Sequence, residues 1–321
     1  QKIIVPVLLI AVWQQWLSLE MALWGLLAHA ALVLTCLILY LRWLREWHWK
    51  PQPGFLTPAL RRELLQFILF GAVGGFALQL ASKVDIFMVG SMTALKAAGI
   101  YSIASYIAAA IDIPTKGLYA ASASSVAEYL AKDDRPALEN LYKKVSINLL
   151  VIGVLLFGAA WTSVDNLFAI IPNGREVSAG KYVLLFIGLS RLVEMGTGLN
   201  NYMMYYSKYY LYALISLSIL AVANISLNLW LVPWLGINGA AIATLVSVSS
   251  YNLISVGLVW LKFRLQPFSK NTLYTLLSGI LAYLIVFFIP KTGYDLLDIV
   301  FRSGLYVLIF GSLAYYLRLS P

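Results

Sequence analysis

The feature that most constrains this chain is a succession of apolar runs about twenty residues long, such as Leu277–Phe288 with its flanks. Short breaks rich in charge, proline or glycine separate them. Wound as a helix, a run of that length matches the hydrocarbon thickness of a bilayer. In hydrocarbon a backbone must satisfy its own hydrogen bonds, which leaves helices or a closed barrel. Barrel strands alternate apolar and polar residues, and these runs do not. Composition agrees. The chain is 61% hydrophobic and 12% charged, whereas a soluble domain carries about 25% charged residues. The sequence therefore predicts an all-α polytopic membrane protein.

Reading apolar runs between breaks gives about ten spans, near 3–17, 21–43, 67–90, 98–121, 147–171, 182–205, 211–231, 238–260, 272–289 and 298–317. Alternating the loops between two sides puts most of the Lys and Arg on one of them. That side holds Lys2, Arg42, Arg45, Lys50, Arg61, Arg62, Lys132, Arg135, Lys143, Lys144, Lys208, Lys262, Arg264, Lys270 and Arg318. Only Lys96, Arg175, Lys181 and Lys291 fall on the other. The asymmetry predicts that both termini are cytoplasmic. The net charge of +9 is then a membrane-orientation signal and calls for no nucleic acid. A single cysteine, Cys36, rules out an internal disulfide framework. His29 and His48 are too isolated to form a metal site, and no signal-peptide pattern is present.

The longest break, Arg42–Glu63, carries Pro51, Pro53, Gly54 and Pro58, which forbid a continuous helix. Trp43, Trp47 and Trp49 beside its basic residues read as interfacial anchors. This segment is expected to be a cytoplasmic linker between two bundles. A second polar break, around Lys132–Lys144, is helix-compatible.

Charge inside a bilayer costs about 2.5–3.5 kcal/mol on insertion scales, so each instance demands a reason. The third span carries Gln79, Ser82, Lys83 and Asp85; the fourth Asp112, Pro114 and Lys116; the sixth Arg191 and Glu194, followed by Asn200 and Asn201. Asp112 and Lys116 are four apart and Arg191 and Glu194 three apart, spacings that permit pairing on one helix face. Lys83 and Asp85 point to different faces, so one of them wants a partner on another helix. Self-neutralising pairs are one reading; the lining of a hydrated cavity is the other. Pro114 predicts a bend in the fourth span, either purely structural or a gating kink. Gly71, Gly74 and Gly75 suit close helix packing. Asn224 and Asn228 share a face of the seventh span. Tyr202, Tyr205, Tyr206, Tyr209 and Tyr210 read most simply as an interface belt. The other reading is that Tyr202 and Tyr206 stack on sugar rings.

No Gly-rich phosphate loop, HExxH, GxSxG or CxxC pattern is present. No loop is long enough for a catalytic domain, and no enzyme is expected. No filter-like loop supports a channel.

The stretches RRELLQFILFGAVGGFALQLASKVDIFMVG (Arg61–Gly90), AAGIYSIASYIAAAIDIP (Ala97–Pro114) and above all NISLNLWLVPWLGINGAAIATLVS (Asn224–Ser247) carry a family likeness. The last has an Asn-rich helix, Pro233, Gly236 and a helix opening on Gly239–Ala240–Ala241. The chain resembles bacterial polysaccharide-biosynthesis flippases of the multidrug/oligosaccharidyl-lipid/polysaccharide exporter superfamily, which also holds O-antigen flippases, the lipid II flippase and the MATE drug exporters. The resemblance implies two six-helix lobes and an extra C-terminal pair. On that template 1–43 holds the last two helices of a first lobe and 44–66 the linker. Residues 67–262 form the second lobe and 263–321 the extra pair, with about four helices expected upstream of Gln1.

The resemblance further implies transport of a polyprenyl-diphosphate-linked oligosaccharide across a bacterial inner membrane by alternating access. Lys83, Lys116, Arg191, Asn200, Asn224 and Asn228 become the candidate headgroup residues. Asp85, Asp112 and Glu194 become the candidates for coupling to Na⁺ or H⁺. No other cofactor is implied; the implied partners are the lipid-linked glycan, membrane lipid and polysaccharide polymerase machinery. Two alternatives stand beside it, a MATE-like exporter of cationic drugs and a non-transporting scaffold of an envelope-assembly complex.

Overall fold

A computed structural model describes residues 17–44, 57–58, 60–62, 64–65, 68, 83–171 and 173–319. The chain falls into two compact units, 1–73 and 74–321, each described by itself.

In the first unit one helix, α1 (Leu19–Trp43), opens on Ser18, whose hydroxyl accepts the Met21 amide at 3.2 Å. Glu20 in its first turn and Arg42 in its last complement the helix dipole. Leu27, Leu32, Leu34 and Leu39 are all exposed along it, a surface that lipid solvates and water does not. The expected span 3–17 and most of the expected linker, including Trp47, His48 and Trp49, lie outside the described residues.

The second unit begins with helical residues 83–92. There follow α2 (Leu95–Ile111), α3 (Ile113–Ala131), α4 (Arg135–Thr162), α5 (Val164–Ala169), α6 (Gly174–Val177), α7 (Lys181–Thr197), α8 (Asn200–Tyr205), α9 (Tyr210–Leu235), α10 (Ile237–Phe263), α11 (Lys270–Phe287) and α12 (Asp295–Tyr316). No strand occurs among the described residues. Helices α1, α4, α9, α10, α11 and α12 are each long and apolar enough to cross a membrane, and the bent pair α2–α3 counts as a seventh if it is one span. The protein is thus an all-α polytopic membrane protein.

Helix α7 is the hub. It packs against α2, α4 and α10, while α10 in turn carries α9 and α4 carries the α11–α12 pair. Tyr101, Phe168, Leu184 and Ile187 form one buried cluster, and Tyr142, Leu149, Met195 and Met203 a second. Between α4 and the C-terminal pair, Val154, Tyr306 and Phe310 form a third.

Several boundaries differ from the sequence expectation for physical reasons. The expected fourth span is two helices meeting at 44°. Asp112 closes α2 and opens α3, with Pro114 in the first turn of α3. Proline is tolerated there because the first-turn amides have no intrahelical acceptor to lose. The expected sixth span is also broken. Gly198, at φ 62°, ends α7 before α8 begins, a conformation that glycine adopts without a Cβ clash. The expected fifth span starts earlier, at Arg135, because Asp134 caps it by accepting the Ala137 amide at 3.1 Å. The polar break around Lys132–Asp134 is therefore a tight turn between α3 and α4.

Among the described residues the basic loop residues fall into separate groups of contacts. At one end Lys96 meets Glu176 at 2.8 Å, and Asp165 receives Lys181 at 2.6 Å and Lys291 at 3.2 Å. At the other, Arg135, Lys208 and Lys262 line a common cleft.

Partial burial alone would raise the Asp165 carboxyl, but its bonds to Lys181 and Lys291 hold it below the ordinary value. A lowered carboxylate stabilises the fold above its unfolded pKa, and that contribution vanishes as pH falls through the lowered value. Thermal melts from pH 6 down to pH 3 should therefore show a shallower acid limb in Asp165→Asn than in the parent. The α4–α12 seam offers a second test. A Cβ on Gly158 would overlap the Tyr306 ring, so Gly158→Ala forces the helices to shift at a cost of about 1–3 kcal/mol. Gly304→Ala on α12 meets nothing within 4 Å and should leave the melting temperature unchanged or slightly raised, since alanine favours the helix.

Candidate functional site

Two polar networks lie inside the second unit, and α10 touches both. The first is built on Asp85, only 9% exposed. Its Oδ1 accepts the Asn228 amide at 2.8 Å, and its Oδ2 accepts Thr244 at 2.5 Å and Tyr101 at 3.2 Å. Asn228 also donates to the side-chain oxygen of Asn224 at 3.2 Å, and Asn224 reaches Ser247 at 3.4 Å. Helix α2 supplies Tyr101, α9 the two asparagines and α10 Thr244, so one carboxylate gathers three helices. All its partners are neutral. Among the described residues no Lys, Arg or His lies within 4 Å of it. Because both Asn228 N–H groups point at oxygens, the amide is oriented, and its own Oδ1 is buried without a donor.

The expectation that Lys83 or Asp85 takes a partner on another helix is met by Asp85. Lys83 is exposed, its ammonium 5.5 Å from the centre of the Tyr106 ring. Gln79, Ser82 and the glycines 71, 74 and 75 lie outside the described residues.

The second network surrounds the two helix breaks. Arg191 and Glu194 pair at 2.9 Å on α7, as their spacing predicts, and both side chains are about one-third exposed. Asp112 and Lys116 lie within electrostatic range of Glu194. Tyr119 spans the gap between breaks: its hydroxyl donates to the Gly198 carbonyl at 2.9 Å, one that the interrupted helix leaves unpaired. The hydroxyl of Thr197 lies 2.8 Å from Asn252 Oδ1, Asn200 reaches the same oxygen at 3.4 Å, and Tyr251 donates to Asn201 at 2.8 Å. These contacts fasten the α7–α8 break to α10.

One pairing expectation fails. Asp112 and Lys116 form no ion pair, because the backbone turns by 44° between α2 and α3 and the i, i+4 geometry of one continuous helix is lost. Lys116 is exposed, and Asp112 Oδ1 is buried without a partner. Thr115 Oγ1, Tyr142 OH, Ser146 Oγ and Arg191 Nε are likewise buried and unpaired. Such a concentration of unsatisfied groups marks a polar interior rather than a packed apolar one.

The structure thus separates the predicted residues into two sets. Asp85, Asn224 and Asn228 belong together; so do Asp112, Lys116, Arg191, Glu194 and Asn200. Lys83 joins neither by any contact. Sequence reasoning missed Tyr101, Tyr119, Thr197, Thr244, Tyr251 and Asn252. Their one signal is being single hydroxyl or amide residues inside long apolar runs, and many such residues bond only to their own helix.

Comparison with known proteins gives a fold. The solved structure of "Lipid II flippase MurJ, inward closed conformation" matches with a TM-score of 0.60 at 16% identity, over 82% of this chain and 56% of that one. This chain therefore spans little more than half the length of that protein. No family model matches the chain, and no curated protein matches it.

Deleting one partner around Asp85 strands a buried polar group, so Thr244→Val and Asn228→Ala should each lower stability by about 1 kcal/mol, as membrane-buried bonds do. A double-mutant cycle of Thr244→Val with Asp85→Asn, read from melts in detergent, should show coupling of about 0.6–1.7 kcal/mol. Simple additivity would mean that the two side chains do not depend on each other.

Proposed function

We propose that this chain forms the substrate-handling lobe and C-terminal helix pair of a flippase that moves a polyprenyl-diphosphate-linked oligosaccharide across the bacterial inner membrane, from the cytoplasmic to the outer leaflet. Lys116 carries the reading. It is a cation on the far side of a helix bend, exposed and without an ion pair, beside a buried cluster of unpaired polar groups. Arg191 keeps Glu194 occupied, so Lys116 is left to meet a diphosphate. The fold shared with the lipid II flippase supports the same reading. An apolar slot of about 240 Å³ between α4, α7, α11 and α12, lined by Phe157, Leu189, Leu276 and Ile280 among others, suits a polyprenyl tail.

Of the three acids proposed for ion coupling, Asp85 fits best. Glu194 is already paired, whereas Asp85 has only neutral partners and beside it the donor-free Oδ1 of Asn228. One carboxylate with amide and hydroxyl oxygens is a donor set for Na⁺. Protonation of the same carboxylate would serve H⁺ coupling. Either ligand changes its charge while Tyr101, Asn228 and Thr244 keep it positioned.

The acids and tyrosines around Tyr119 also suit an organic cation, which keeps drug export as the second reading.

Complementation of a flippase-deficient strain provides the test. Lys116→Ala combined with Arg191→Ala should lower flipping by about tenfold or more, the scale set by removing one charge-assisted hydrogen bond. Flipping equal to the parent would sink the headgroup assignment. Resistance to cationic dyes, lost in Glu194→Gln, would move the assignment to drug export. Asp85→Asn should abolish any stimulation of transport by a Na⁺ gradient.

A further inference from the structure

At the end of the unit where the basic residues gather, a cleft of about 520 Å³ opens between the α3–α4 turn, the α8–α9 turn and the end of α10. Its wall holds three cations, Arg135, Lys208 and Lys262, and two acids, Asp133 and Asp134. Both acids are engaged. Asp134 caps α4, and Asp133 meets Arg135 at 3.5 Å. Lys208 and Lys262 have no carboxylate within 4 Å among the described residues. Their ammonium groups instead sit over one and the same ring, that of Tyr209, at 5.4 and 5.2 Å from its centre, and Lys262 also lies 4.8 Å from that of Tyr212. Two unpaired cations beside one ring raise the positive potential of the cleft, and an anion bound in it lowers that potential.

The cleft also connects inward. Tyr206 on its wall lies 6.0 Å from Tyr202, and Tyr202 lies 5.2 Å from Tyr119. Tyr119 bonds the Gly198 carbonyl and lies within range of Glu194 and Asp112. An aromatic ladder therefore runs from the two free lysines to the charged cluster at the helix breaks. Tyr206 at its outer rung is 48% exposed, so its ring is open to a molecule in the cleft.

We infer that this cleft is a loading site for a phosphate-bearing lipid headgroup, with Lys208 and Lys262 binding the phosphate and the Tyr206–Tyr202–Tyr119 ladder offering ring faces to an attached sugar. Ammonium groups over tyrosine rings stay desolvated on one side, which strengthens their contact with an anion. Sugar C–H faces stack on tyrosine while the phenol hydroxyls bond the ring oxygens. The site rests on the transport reading only for the identity of the lipid.

The test measures equilibrium binding to the purified protein in phosphatidylcholine nanodiscs. The probes are geranylgeranyl diphosphate, the same diphosphate carrying one sugar, and short-chain phosphatidylglycerol. The combined Lys208→Gln and Lys262→Gln variant should bind both diphosphates about tenfold more weakly, and Tyr206→Leu should weaken only the sugar-bearing probe. Lys208 is exposed and Lys262 partly so, and the variant's melting temperature should match the parent's. An equal drop in affinity for phosphatidylglycerol would identify lipid phosphate in general as the ligand. Binding of all anionic probes within twofold of the parent would overturn the site. These are binding measurements, so a protein that binds through the lysines yet moves no lipid would retain the cleft and lose the transport function.

Discussion

Everything polar in this bundle is organised by one constraint: inside hydrocarbon, an interrupted helix must find new partners for the backbone groups it exposes. The chain interrupts its helices at Asp112 and at Gly198. Tyr119 answers the second, rising from the helix that starts after the first break and donating to the carbonyl at Gly198. One side chain therefore ties the two breaks together. Around them lie the unpaired atoms of Asp112, Thr115, Tyr142, Ser146 and Arg191. An apolar core would not tolerate this many, because each costs about 1–3 kcal/mol when left without a partner.

The two carboxylates at the centres of the polar networks are handled in opposite ways. Glu194 is met by a guanidinium three residues away on its own helix, a local solution that holds however the neighbouring helices move. Asp85 is met by neutral donors on α2, α9 and α10, a solution that exists only while those helices are together. Any cation or proton reaching Asp85 must therefore change how strongly three helices are held to one another. Charge pairing satisfies Glu194 locally; Asp85 depends on three helices at once.

Much of this was legible in the sequence, but only at certain levels. Length and apolarity identified α1, α4, α9, α10, α11 and α12 as spans, because runs such as that of α11 have no competing interpretation. The Arg191–Glu194 pair was legible because it is local. The break at Gly198 was not, since a glycine in an apolar run is as often a packing site. Nor was the failure of Asp112 to pair with Lys116, because Pro114 announces a bend without fixing its size, and 44° is enough to undo the helical spacing. Tyr101 and Thr244 were invisible as partners of Asp85. Their separations of 16 and 159 residues are set by how the helices pack, which no periodicity encodes.

Helix α10 joins what would otherwise be two independent sites. Thr244 holds Asp85 near one part of the helix, and Tyr251 and Asn252 hold the α7–α8 break near another. The eight residues from Thr244 to Asn252 make about 12 Å of helix at the usual rise, and α10 runs unbroken from Ile237 to Phe263. An unbroken helix carries an axial shift or rotation along its length, because its own hydrogen bonds resist compression. A displacement of Thr244 away from Asp85 must therefore reach Asn252, and through it the hinge at Gly198 beside Glu194. Asp85 and the charged cluster at the breaks are in this way tied to one unbroken helix, and that helix contains neither break.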